Sequence, residues 1–124
     1  MSWQWNQRAG VLSRNGLRVA EGYSGAGRYK NDPDAQMLKC QGPIPCGLYS
    51  IGAPVDTATH GPYVLPLTPI AGNQMFGRGS FLIHGDNSTG TASEGCIILD
   101  RATRELVGAA VLDGSEMWLR VVRG

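Results

Sequence analysis

His84 and Cys96 are the two residues whose types and spacing suit covalent chemistry. An apolar run, Phe81-Leu82-Ile83, ends at His84, an eleven-residue loop follows, and Cys96 opens a second apolar run, Ile97-Ile98-Leu99. A free thiol has a pKa of ~8.5, so little of it is thiolate at neutral pH. An imidazole within hydrogen-bond reach takes its proton or stabilises the thiolate as an ion pair. Gly95 lets backbone approach a substrate without a side chain in the way, and amides around Gly95 and Cys96 are candidates for holding a developing oxyanion. Singly, a cysteine heading an apolar strand is more often a small buried hydrophobe, and a histidine at a strand end more often bonds a loop. Their joint placement at the two rims of one loop favours a nucleophile and its base.

Other polar residues are secondary candidates. Asp86 is suited to orienting the loop or His84, or to capping the loop. Arg78 is suited to a substrate carboxylate, which guanidinium meets in a fork, or to a solvated turn. His60 falls in a loop, Thr59-His60-Gly61-Pro62, and is expected to stand outside the chemistry. Two histidines and three cysteines show no CxxC or HExxH spacing, so no metal and no cofactor is expected. The glycine-rich stretch at 22–27 lacks the lysine-serine/threonine ending of a phosphate loop.

The elements that must position the pair are short. Residues 3–7 alternate aromatic and polar, as in a half-buried strand. Asn15-Gly16 between two apolar runs marks a hairpin. Residues 22–27 read as a flexible turn, and Asp34 as the cap of a short helix through Met37 and Leu38. A strand is expected at 48–51. Prolines at 66 and 69 make the run from Tyr63 an edge or irregular strand. Strands at 81–83 and 96–99 flank the loop, Asp100 caps the best helix through Leu106 and Val107, and a strand at 117–122 follows the turn at Asp113-Gly114. With 18 glycines and 7 prolines spread along the chain as turn signals, the expected fold is mainly β. It is one small domain over 1–124, a sandwich or barrel with one or two short helices.

The 124 residues allow one modest core. A net charge of +1 without any basic run gives no case for nucleic acid or an acidic membrane surface. The first residues lack the basic-then-apolar pattern of a secretory signal, and the longest apolar run falls far short of the ~20 residues a membrane-spanning helix needs. Cys40 and Cys46 flank a proline-containing turn and are read either as a disulfide or as two reduced thiols.

Ile83-His84-Gly85-Asp86 followed by Ser93-Glu94-Gly95-Cys96-Ile97 resembles the signature of L,D-transpeptidases. Trp3, Gly22-Tyr23-Ser24-Gly25, Gly42-Pro43-Ile44-Pro45, Gly47, Tyr49, Leu67-Thr68-Pro69 and Gly77-Arg78-Gly79-Ser80-Phe81 narrow the likeness to L,D-transpeptidase-like effectors delivered between bacteria by type VI secretion. The resemblance implies action on peptidoglycan stem peptides, at the bond between the diamino acid at position three and D-alanine at position four. It implies Cys96 as nucleophile and His84 as base, with Ser93 and Gly95 shaping the oxyanion pocket and Gly85 and Asp86 supporting the loop. A protein of this kind is made in the cytoplasm without a signal peptide, passes through a secretion apparatus, acts in a target periplasm and meets an immunity protein in the producer. The sequence departs from the signature at Glu94, where many such enzymes carry histidine, and at Ile98, where many carry arginine or asparagine.

Two other readings stand beside it. Papain-like peptidases place cysteine before histidine, opposite to the order here, and sortases need an arginine on a later strand, whereas Arg101 and Arg104 fall in the expected helix. A non-catalytic peptidoglycan-binding secretion or phage component would make Cys96 dispensable.

Overall fold

The computed structural model describes residues 3–124. Among the described residues, ten strands join in one sheet with a single α-helix. The strands are β1 (Trp3–Asn6), β2 (Val11–Arg14), β3 (Leu17–Glu21), β4 (Tyr23–Ser24), β5 (Gly47–Ile51), β6 (Val55–Thr57), β7 (Gly61–Pro69), β8 (Phe81–His84), β9 (Ile97–Ile98) and β10 (Trp118–Val122). Their order is β3-β2-β1-β10-β5-β7-β8-β9-β4, with β6 paired to β7 off that path. The helix, α1 (Arg101–Leu112), packs on β7. The mainly-β expectation holds, with one α-helix.

Alternation along the strands builds the core. Trp3 and Trp5 on β1 point inward with Leu12, Tyr49, Leu65, Ile83, Ile97 and Leu119, all buried, and Val107 of α1 closes over them. Asn15 (φ 53°) and Gly16 (φ 79°) turn β2 into β3 with both residues in the left-handed region, as a two-residue hairpin of this twist requires. Asp100 caps α1, its side chain accepting from the Thr103 N–H at 2.9 Å.

Three local expectations change. The stretch expected as a flexible turn contains β4, which pairs with β9; buried Ser24 supplies hydrogen bonds that hold it there. Asp34 does not cap a helix. A 3-10 turn, Pro33–Ala35, forms instead, and Asp32 caps it by accepting from Asp34 N–H at 3.0 Å. The proline-bearing run is a nine-residue strand lying between β5 and β8, not at an edge. Proline removes only its N–H from the ladder, and the Pro66 carbonyl still accepts from Gly52 N–H at 2.8 Å.

Gly108 lies in α1 where a Cβ would come 2.3 Å from the Tyr63 hydroxyl. Glycine inside a helix ordinarily costs ~1 kcal/mol relative to alanine. Here Gly108→Ala is expected to destabilise, because the Tyr63 ring of β7 fills that space. Urea denaturation checks the sign through the midpoint, which should fall and not rise.

Candidate active site

β8 and β9 pair in parallel, Ile83 opposite Ile97 and His84 opposite Ile98. Residues directly opposed in a parallel pair share a face and successive residues alternate. Ile83 and Ile97 therefore enter the core, while His84 and Cys96 belong to the other face, two residues out of step. Strand geometry sets their Cα atoms about 8 Å apart, a separation within the combined reach of an imidazole and a thiol. A hairpin is impossible for parallel strands, so the loop after β8 crosses back to start β9 beside it.

That crossover is tied to β4 at both ends. Tyr23 donates its hydroxyl hydrogen to Asp86 Oδ1 at 2.6 Å and accepts from Ala92 N–H at 3.0 Å. Burial and the adjacent Asp86 carboxylate push the Tyr23 phenol up to about 12. Ser93, 1% exposed, donates to the Cys96 carbonyl at 2.6 Å and accepts from Gly25 N–H (2.9 Å) and Gly95 N–H (3.1 Å). Ser24 donates to the Gly95 carbonyl at 2.7 Å. Gly95 has φ 137°, and a Cβ there would lie 2.6 Å from Arg78 and 2.8 Å from Phe81; the residue before the cysteine must be glycine for both reasons.

The two candidate reactive groups open onto one cavity of about 710 Å³, lined also by His60, Arg78, Asp86 and Glu94. His84 is 3% exposed overall, and its Nδ1 lies 2.8 Å from the Gly85 carbonyl. A carbonyl only accepts, so in the neutral ring Nδ1 carries the proton and Nε2 keeps its lone pair. Burial first, then the charges of His60 and Arg104, hold the imidazole below its ordinary value, against the opposing pull of the Gly85 carbonyl and Asp86. Cys96 is half-buried, and burial raises its thiol; Glu94 adds to this, while a Leu82 backbone hydrogen bond and Arg78 oppose it. Both groups rest in their uncharged forms, and no direct His84–Cys96 hydrogen bond is formed among the described residues.

The amides divide. Gly95 N–H is committed to Ser93, so it is not free for an oxyanion. Cys96 N–H finds no acceptor among the described residues. Arg78 also lines the cavity, but it donates to the carbonyls of Gln36, Pro43 (2.8 Å), Gly42 (2.9 Å) and Glu94 (3.3 Å). Four of its five N–H donors are thereby used on backbone. All three cysteines are free. Cys46 donates its thiol hydrogen to Gln7 Oε1 at 3.3 Å, and Cys40 is exposed on the cavity wall.

Sequence reasoning set His60 aside, yet its ring packs on His84 with centroids 4.7 Å apart. It also missed Arg104, 8% exposed, which donates to the carbonyls of Leu99 (3.1 Å), Pro62 and Tyr63 (both 2.9 Å). One signal was available for His60: the chain has two histidines, and a residue this rare has reason to be examined.

Ser93→Ala leaves the Gly25 and Gly95 amides buried without their acceptor. The expected loss is roughly 1–3 kcal/mol of stability, read from chemical denaturation. A loss within error of zero would mean that the hydroxyl does not brace the loop.

A family model, the Tlde1 domain, matches residues 18–121, well over half of the chain. Searches of curated proteins and of solved structures give no match.

Proposed function

The chain belongs to the Tlde1 domain family, a family of type VI secretion effector toxins, and from that premise we propose that it is a cysteine-dependent L,D-carboxypeptidase or L,D-transpeptidase of peptidoglycan stem peptides. The observation that carries the reading is one groove lined by a buried imidazole and a thiol that fall on the same face of the sheet. Cys96 is the nucleophile and His84 Nε2 the base. Gly85 fixes the tautomer, Asp86, Ser93 and Gly95 hold the loop, and Arg78 braces the backbone behind it.

Sulfur attacks the carbonyl carbon between the diamino acid and the terminal D-alanine as His84 Nε2 takes the thiol proton. The carbonyl electrons move onto oxygen, where the uncommitted Cys96 N–H is the available donor. Collapse breaks the C–N bond, His84 returns the proton to the departing amine, and a thioester remains. Water, or the amine of a free D-amino acid, then gives a proton to His84 and attacks the thioester. The sulfur leaves and recovers its proton. Water trims the tetrapeptide; the amine exchanges its last residue.

Because both groups rest uncharged, His84 works as a general base and not as half of a standing ion pair. As an effector, the protein travels through a secretion apparatus, and an immunity protein in the producer would protect by occluding the groove.

Cys96→Ala and His84→Ala are each expected to abolish processing of purified stem peptides followed by mass spectrometry; a Cys96→Ala variant with intact activity would return the chain to the non-catalytic reading. Incubation with and without a free D-amino acid separates trimming from exchange.

The pH dependence follows from the His84 shift. Activity needs the unprotonated ring, whose value lies below the ordinary 6.5. The acid limb of kcat/KM should therefore fall below pH 6.5; a limb above it would contradict the buried, neutral base. In cells, toxicity should require a fused export signal, and equal growth arrest without one would move the target out of the periplasm.

A further inference from the structure

His60 has no part in these steps, yet this exposed residue of the groove is held on several sides. It stands on the turn joining β6 to β7, where Thr57 Oγ1 accepts its backbone N–H at 2.8 Å. The same hydroxyl lies 3.3 Å from the Gly61 carbonyl, and Gly61 takes φ 84° to close the turn. Thr59 Oγ1 lies 2.9 Å from His60 Nδ1 and fixes the ring itself. The next residues of the hairpin, Pro62 and Tyr63, give their carbonyls to Arg104 of α1, and Arg101 of the same helix covers the Tyr63 ring at 4.9 Å. The hairpin is thus fastened to α1 so that an exposed imidazole meets a buried one.

His84 needs such a neighbour. Its one side-chain hydrogen bond among the described residues is to the adjacent Gly85 carbonyl, and a single bond leaves a ring free to swing about it. The His60 ring lies tilted by 54° at 4.7 Å, within the range preferred by packed aromatic pairs.

We infer that His60 is a positioning residue for His84: its ring closes one side of the base and keeps Nε2 directed into the groove shared with Cys96. This rests on His84 being the base. What His60 supplies is ring packing, which a neutral ring can replace. The charged and titratable groups facing His84 are His60 from the hairpin, Arg104 from α1, Asp86 from the crossover and Cys96 across the groove. Of these, His60 is the one that the test replaces, and a phenyl ring in its place would remove its electrostatic lowering of His84.

The test uses the full chain with His60→Ala and His60→Phe. The first readout is the rate of Cys96 alkylation by iodoacetamide, resolved by peptide mass spectrometry, which needs no substrate assignment. The second is the titration midpoint of His84 by NMR, and the third is kcat and KM on stem peptide. His60→Ala should slow alkylation at pH 7 on the order of tenfold and lower kcat with KM little changed. His60→Phe should restore most of the rate and move the His84 midpoint upward. An alkylation rate unaffected by His60→Ala overturns the inference, and so does a His60→Phe variant as slow as His60→Ala. His84→Ala is the control: unchanged Cys96 alkylation there overturns this inference together with the base assignment. Absent stem-peptide turnover with the expected alkylation pattern overturns the substrate alone.

Discussion

The parallel pairing of β8 with β9 is the constraint on which the site depends. Two residues of register, Ile83 to Ile97 and His84 to Ile98, set which face the imidazole and the thiol occupy. A slip of one residue would send Cys96 to the core face and bring Ile97 into the groove. So short a ladder cannot hold its register through hydrogen bonds of its own. The register is held from outside: isoleucines 83 and 97 are buried to 0% exposure on one side, and on the other edge Ser24 and Ser93 clamp the backbone of Gly95 and Cys96. Two buried serines therefore decide where a cysteine points.

Two arginines do the equivalent work at longer range. Arg78 gathers the carbonyls of residues 36, 42, 43 and 94, joining the segment before β5 to the loop that carries Cys96. Arg104 gathers those of 62, 63 and 99, joining the β6–β7 hairpin to the end of β9 and so to the His84 side. Four carbonyls on Arg78 and three on Arg104 offset much of the desolvation of these guanidinium groups, and the fork geometry lets one side chain fix several backbone segments. Desolvation lowers the proton affinity of both groups, and a guanidinium keeps its charge in proteins. Neither cation is matched by a carboxylate in hydrogen-bond contact among the described residues, so the positive charge remains available to the groove electrostatically while the hydrogen bonds do structural work.

Local signals in the chain were legible to the extent that they depend on neighbours in sequence. The Asn15-Gly16 hairpin, the Asp100 cap and the apolar runs around His84 and Cys96 all follow from residue types a few positions apart, and the structure has each of them. The strands flanking the loop could be read; that they run parallel could not, because β9 is held in place by β4, whose Ser24 pairs with Ile97 and Tyr23 with Ile98 from far upstream in the chain. β4 itself is two residues long, too short for any period to show. Arg78 was readable as a fork, but the carbonyls it would meet come from three separate places in the chain. His60 was discounted as a loop histidine because proximity to His84 arises only when β7 pairs with β8 and α1 draws in the hairpin.

Burial acts on His84 and Cys96 in opposite directions along the pH scale and to the same effect. It disfavours imidazolium, so the His84 ring holds its proton less tightly, and it disfavours thiolate, so the Cys96 sulfur holds its proton more tightly. The gap between the two is wider than for the free groups, and the resting proton stays on sulfur. A standing ion pair would give a more reactive thiol at all times, including in the cell that makes the protein. In the proposed mechanism the neutral arrangement makes reactivity wait for a carbonyl in the groove, where negative charge would leave sulfur for an oxygen that the Cys96 N–H can meet. The burial that suppresses the resting thiol is thus what concentrates the proposed chemistry on an enclosed substrate.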